Sequence, residues 1–139
     1  MDKSYVFYDL ETTGLQKEFH QVVDVAAIRT NLQLEPLEKV QWFVRLNQDV
    51  VPCAQAVLTH QLTPQYLAQE GQSEARVLEQ VHRFLNQPGT CSGGYNSLGF
   101  DDEFLRFSFY RNFLPPYTHQ YAQGCSRFDC FPMVVYCYL

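Results

Sequence analysis

Apolar and polar positions alternate and cluster in a way that divides the chain into short, distinct elements. Ser4-Tyr5-Val6-Phe7-Tyr8-Asp9 is rich in aromatic and β-branched side chains and predicts a buried strand, with Thr12-Thr13-Gly14 as the turn after it. Val22–Thr30 and Val40–Leu46 predict two further strands, joined by the polar link Asn31–Lys39. Three strands in succession imply an antiparallel meander. Pro52 to His60 reads as loop plus a helical turn. Thr63-Pro64 has the chemistry of a helix start, threonine as N-cap and proline in the first helical position. From Ser73 to about Asn86, Val77, Leu78, Val81, Phe84 and Leu85 recur at helical spacing until Pro88-Gly89 stops them. Thr90–Asn96 predicts the next strand. Asp101–Tyr110 predicts a helix with Phe104, Leu105 and Phe109 toward the core, and Tyr110 and Phe113 also read as core positions. Pro115-Pro116 breaks that helix, Tyr117–Gly124 reads as loop, and Ser126 caps a last apolar segment ending at Leu139. The order βββααβα describes an α/β arrangement around one mixed sheet, three antiparallel strands followed by a parallel one.

Composition changes this picture only a little. With 139 residues, 46% hydrophobic and 18% charged, the chain can build one packed core. No apolar run reaches the roughly 18–20 residues of a membrane-spanning helix, and the opening residues lack the layout of a signal peptide, so no membrane partner and a cytoplasmic location are expected. Five cysteines, Cys53, Cys91, Cys125, Cys130 and Cys137, form no C-x-x-C pair and are expected as free thiols. The net charge of −5 argues against a phosphate-binding surface made of Lys and Arg alone. Divalent cations in an acidic site would supply the missing positive charge.

Two acidic motifs carry the candidate chemistry. In Phe7-Tyr8-Asp9-Leu10-Glu11-Thr12-Thr13-Gly14-Leu15, Asp9 and Glu11 stand two residues apart on a strand and therefore face the same side. Two carboxylates side by side repel unless a cation neutralises them, and hard Mg²⁺ or Mn²⁺ prefers such oxygen ligands. The second motif, Gly94 to Glu103, runs from a strand through a glycine-bearing turn into a helix whose first turn holds Asp101, Asp102 and Glu103. Acids at a helix start also serve the helix dipole and need no metal. Asp101 is the first choice for the carboxylate facing Asp9 and Glu11, and Asp102 the second.

These stretches resemble a known family. Asp9 to Leu15 is similar to the first motif of the DEDD exonucleases, a ribonuclease H-like superfamily, and Asn96 to Asp101 to the second. A finer resemblance, to the bacterial exodeoxyribonuclease I family, runs colinearly over almost the whole chain. It is carried by Ala27-Ile28-Arg29-Thr30, Ala56-Val57-Leu58, Leu62-Thr63-Pro64-Gln65, Gly94-Tyr95-Asn96, Phe100-Asp101-Asp102-Glu103, Phe109-Tyr110-Arg111-Asn112-Phe113, Pro116-Tyr117 and Ser126-Arg127-Phe128-Asp129. The resemblance implies a ribonuclease H-like sheet flanked by helices and a 3′→5′ exonuclease hydrolysing single-stranded DNA to 5′-mononucleotides. It further implies two Mg²⁺ ions, replaceable by Mn²⁺, held by Asp9, Glu11 and Asp101. Glu11, the backbone around Thr12 and Thr13, and Leu15 would receive the terminal nucleotide. His60, Asn96, Phe100 and Arg106 are further candidates for substrate contact, Arg106 through a DNA phosphate.

The same resemblance sets a limit. That family needs a histidine followed about five residues later by an aspartate, as general base and fourth carboxylate. None of His20, His60, His82 and His119 has an aspartate at that spacing. Residues 1–139 are therefore expected to be the N-terminal portion of a single exonuclease domain, C-terminally incomplete, without its later helices and following domains and inactive alone. The uncharged segment Cys130–Leu139 is expected to leave apolar surface exposed. In the family, further domains bind the single-strand-DNA-binding protein. Two alternatives stand beside this reading: an exoribonuclease or proofreading-type exonuclease of the same superfamily, and a catalytically dead nucleic-acid-binding or assembly module.

Overall fold

The computed structural model describes residues 2–138, so the end of the last apolar segment at Leu139 lies outside the described residues. Five strands form one sheet in the order β3-β2-β1-β4-β5. Strands β1 (Ser4–Thr12), β2 (Val22–Thr30) and β3 (Pro36–Phe43) make the expected antiparallel meander. Strand β4 (Thr90–Gly94) then runs parallel to β1, and β5 (Ser126–Asp129) parallel to β4. Between and after the strands lie helices α1 (Ala54–His60), α2 (Pro64–Glu70), α3 (Glu74–Leu85), α4 (Asp101–Arg111), α5 (Thr118–Tyr121) and α6 (Cys130–Tyr138).

The core follows the period-2 and period-3.6 patterns. Val6, Tyr8 and Leu10 of β1 and Val25 and Ala27 of β2 face one side of the sheet. Against them pack Val77, Leu78, Val81, Phe84 and Leu85 of α3, and Phe104, Leu105 and Phe109 of α4. Each fully buried side chain of this size contributes about 1.5–3 kcal/mol of transfer free energy. Arg29 is also buried here, its guanidinium donating to Ser4 Oγ, Thr90 Oγ1 and the Phe84 carbonyl and lying 4.6 Å over the Phe84 ring. At α2 the cap works as expected, Thr63 Oγ1 accepting from Tyr66 N–H with Pro64 at the first position.

The structure corrects several expectations. Strand β3 begins at Pro36 rather than Val40, because the turn closes early: Asn31 Oδ1 accepts from the Gln33 and Glu35 amides. The helical turn before His60 is a full seven-residue helix, α1. Residues 117–124 are not loop but α5 and a 3₁₀ turn at Ala122–Gly124. Ser126 does not cap a helix; Ser126–Asp129 is a fifth strand, and the helix starts only at Cys130. Four residues without alternation give too little periodicity to register as a strand. Tyr110 and Phe113 are not core residues: Tyr110 is 74% exposed because Phe104, Leu105 and Phe109 take the inward stripe of α4, and Phe113 is 97% exposed in the left-handed turn beyond the helix end at Arg111. The five cysteines are free, and Phe131, Met133, Val134, Val135, Tyr136 and Tyr138 leave α6 with the exposed apolar surface foreseen for it. Among the described residues no helix is long and apolar enough to cross a membrane.

Candidate active site

Asp9 and Glu11 project from the face of β1 opposite the core, as their spacing requires: Val6, Tyr8 and Leu10 are buried, while Asp9 is exposed and Glu11 half-buried. The register sets Glu11 beside Asp24 of β2 and Asp9 beside Ala26. Asp101 opens α4, which follows the loop leaving β4, the strand parallel to β1. Asp101 is only 6% exposed, and burial, then the charges of Asp9 and Glu11, push its carboxyl up to about 7. Burial and the Asp9 charge likewise raise Glu11, with His60 pulling the other way. Asp24 is raised by burial, eased by two hydrogen bonds of 3.1 Å from Gln41 Nε2.

None of Asp9, Glu11 and Asp101 accepts a side-chain hydrogen bond or forms an ion pair among the described residues. Among the described residues no three acidic, histidine or cysteine groups stand close enough together to hold a metal ion, so Asp9, Glu11 and Asp101 are neighbouring charges rather than a formed metal site. The donor set is carboxylate oxygen only, facing like charge, which fits hard divalent cations and is costly to leave without them.

Beside these acids opens a cleft of about 620 Å³, lined by Glu11, Thr12, Gly14 and Leu15, by Ala56, Thr59 and His60 of α1, and by Phe100. Its floor is held by the first motif's own backbone. Thr12 Oγ1 donates to the Gly14 carbonyl at 2.6 Å. Thr13 is buried and does not line the cleft; its Oγ1 accepts from Gln21 N–H and its carbonyl from Cys53 N–H. At Gly14 a Cβ would strike the His20 ring, so any larger residue there would have to displace His20 from its bonds to the Gln16 amide and Cys53. His60 Nε2 lies 3.1 Å from the Thr12 carbonyl while its Nδ1 accepts from Leu62 N–H, so the ring bridges α1 to the end of β1.

The predicted residues thus divide. Glu11, Thr12, Leu15, His60 and Phe100 meet in the cleft, with Asp9 and Asp101 as the adjoining charges. Asn96 adopts left-handed backbone (φ 57°) in the loop before α4, and its N–H donates to Asp129. Arg106 lies apart. It pairs with Glu103, donates to Tyr117 Oη and lines a different cavity with Phe107, Tyr110, Pro116 and Tyr117. Asp102 turns away from the cleft to accept from His119, Gln120 and Arg127; burial pushes its carboxyl up, but the bonds and charges of His119 and Arg127 outweigh it and hold it below the usual range.

Sequence reasoning missed Asp24 and Asp129. The first is legible once β1 and β2 are set in register, for it pairs with Glu11. Asp129 stood within a stretch that carried the resemblance, but its role could not be read while β5 was unseen. It is nine-tenths buried and accepts from the amides of Asn96, Leu98 and Phe131.

A meander joined to parallel strands, with acids at the end of β1 and the start of α4, defines the ribonuclease H-like class. The chain belongs to the exonuclease family, whose RNase_T profile matches residues 6–138. It is 35% identical over 136 residues to exodeoxyribonuclease I of Buchnera aphidicola (subspecies Acyrthosiphon pisum), covering 97% of this chain and 33% of that protein. The zinc-bound form of the Escherichia coli ExoI–ssDNA complex matches with a TM-score of 0.97 at 33% identity, over 99% of this chain and 30% of that one. An ExoI/SSB-Ct complex gives the same TM-score, identity and coverage. The chain therefore spans about a third of the length of these relatives.

Proposed function

We propose that residues 1–139 are the N-terminal part of the exonuclease domain of a cytoplasmic 3′→5′ exodeoxyribonuclease that hydrolyses single-stranded DNA to 5′-mononucleotides. The observation that carries the reading is that Asp9, Glu11 and Asp101 are close enough to feel one another's charge, none in an ion pair among the described residues, beside a cleft that Glu11 lines and that is large enough for one nucleotide. A metal- and DNA-bound relative of the same fold supports it. Asp9, Glu11 and Asp101 would hold Mg²⁺, or Mn²⁺ in its place. When bound, two such ions supply a hydroxide-like water near neutral pH and charge for the leaving 3′-oxygen.

The chain's own residues have the remaining tasks. Glu11, at the cleft wall, accepts a hydrogen bond from the terminal 3′-hydroxyl and so favours a free 3′ end. Leu15 and Phe100 give the base and sugar apolar surface, and His60 fixes the Thr12 backbone under them. Removing the water's proton requires a free base, and the two histidines lining the cleft have both ring nitrogens engaged, His20 with the Gln16 amide and Cys53, His60 with the Thr12 carbonyl and the Leu62 amide. This chain alone therefore binds metal and a 3′ end without turning over. An SSB-type protein would dock on the remainder of the enzyme, as the ExoI/SSB-Ct complex suggests.

The test is digestion of a 5′-labelled single-stranded oligonucleotide, with matched RNA and duplex, Mg²⁺ or Mn²⁺, and an EDTA control. A chain extended to the length of its relatives is expected to give a DNA ladder shortening from the 3′ end, abolished by EDTA and by Asp9→Ala. The 139-residue chain is expected to give none. Cleavage that survives Asp9→Ala, or faster cleavage of RNA, sinks the proposal.

A further inference from the structure

Asp102 directly follows Asp101, yet the helical rotation of about 100° per residue sends the two carboxylates in different directions. Asp101 meets the charges of Asp9 and Glu11. Asp102, 2% exposed, enters the protein and accepts from three side chains: His119 Nε2 at 3.0 Å, Gln120 Nε2 at 3.1 Å and Arg127 Nη1 at 2.6 Å. His119 is completely buried, and its Nδ1 has no hydrogen-bond partner among the described residues. An imidazole stripped of water for one carboxylate is costly, and core packing alone does not call for it.

The loop leading to Asp101 is fastened to the same strand. Arg127 and Asp129 are two residues apart on β5 and so point to one side. Arg127 reaches Asp102, while Asp129 accepts from Asn96 N–H at 2.7 Å and Leu98 N–H at 3.1 Å. Ser97 completes the set: its carbonyl accepts from the Asp102 amide at 2.8 Å, and its Oγ accepts from Gly94 N–H and donates to the Phe128 carbonyl. Every one of these bonds ties residues 94–102 to one another, to β5 or to α5.

We propose that Asp102 is a positioning residue: with Arg127, His119 and Gln120 it clamps the first turn of α4 to β5 and α5, holding Asp101 against Asp9 and Glu11 before any cation binds. Left unclamped, the like charges would drive the start of α4 away from β1, and each binding event would have to pull it back. Interactions that orient metal ligands typically govern affinity by about 10–100-fold. The inference rests on the metal-site reading above.

The test is Mn²⁺ binding by this chain, read from the electron paramagnetic resonance of free and bound ion, so no turnover is needed. Asp102→Asn and Arg127→Gln are expected to weaken Mn²⁺ binding by roughly 10-fold, with folding checked by circular dichroism. Val81→Ala loosens the α3 core without touching the clamp, and is expected to lower the melting temperature while leaving Mn²⁺ affinity intact. Wild-type affinity in both clamp variants overturns the proposal, as does an equal loss in Val81→Ala, which would reduce the clamp to general stability. Asp101→Asn separates the two readings. If the native chain binds no Mn²⁺, or Asp101→Asn binds it as well as the native chain, the metal site itself is refuted and the clamp falls with it.

Discussion

At the scale of single residues, the candidate site is a place where folding works against its own electrostatics. Asp101 sits at about 7, far above its ordinary value, because burial and two neighbouring carboxylates oppose its charge. The folded chain therefore holds a proton that the unfolded chain has already released between pH 4 and 7, and stability contributed by this group falls as pH rises through that window. In EDTA, Asp101→Asn is expected to flatten the fall in melting temperature between pH 4 and 7. At pH 8 it should make the protein more stable than the native chain, by about 2–8 °C for each kcal/mol of repulsion removed. Thermal denaturation across that pH range checks both, and a native-like slope in Asp101→Asn would show that other groups set the dependence. Adding Mg²⁺ should stabilise the native chain more at pH 8 than at pH 5, where protons compete for the same oxygens. Asp101→Asn should lose most of that gain.

Among the elements, what the sequence made legible depended on how many residues repeat a pattern. The three long strands were legible as runs, and α3 has enough positions for periodicity to name its inward residues Val77, Leu78, Val81, Phe84 and Leu85 one by one. Strand β5 has four residues, α5 has four, and neither can show a period. Their identity is set by partners far along the chain: Gly93 and Gly94 let β4 lie close between β1 and β5, where a Cβ would meet the Phe128 and Tyr8 carbonyls. The same limit explains the site. Asp9, Glu11 and Asp101 could be read from local spacing, whereas Asp129 and the Asp102 partners depend on a strand that local pattern hid. On α4 the error was one of rotation for Tyr110, which lies off the buried stripe, and of extent for Phe113, which falls beyond the helix end at Arg111 in left-handed backbone. Phe109→Ala should cost about 3–5 kcal/mol, and Tyr110→Ser should fall within about 0.5 kcal/mol of native. Urea denaturation of the pair decides whether the helix faces the core as described.

Taken as a whole, the molecule carries a net charge of −5 and places its acids where a polyanion would have to approach. A nucleic-acid binder normally attracts phosphates with Lys and Arg. Here no Lys or Arg is among the described residues lining the cleft, and Arg106 and Arg83 are paired with Glu103 and Glu79, Arg127 with Asp102, while Arg29 is buried. Under the proposed function, attraction at the cleft comes from bound cations, and metal and DNA binding are expected to be coupled through charge rather than through a basic surface. Single-stranded DNA should bind this chain weakly in EDTA, and Ca²⁺, which takes carboxylate ligands, should strengthen binding. A coupling of about 10-fold corresponds to roughly 1.4 kcal/mol, an ordinary size for two linked ligands. Linkage is reciprocal, so an oligonucleotide with a free 3′-hydroxyl should tighten Mn²⁺ binding by the same factor, and one with a blocked 3′ end by less. Fluorescence anisotropy of a 5′-labelled strand, titrated with and without Ca²⁺, measures one side of the cycle. Equal affinity in EDTA and Ca²⁺ would mean that DNA is held elsewhere, with the exposed aromatic face of α4 the first place to look.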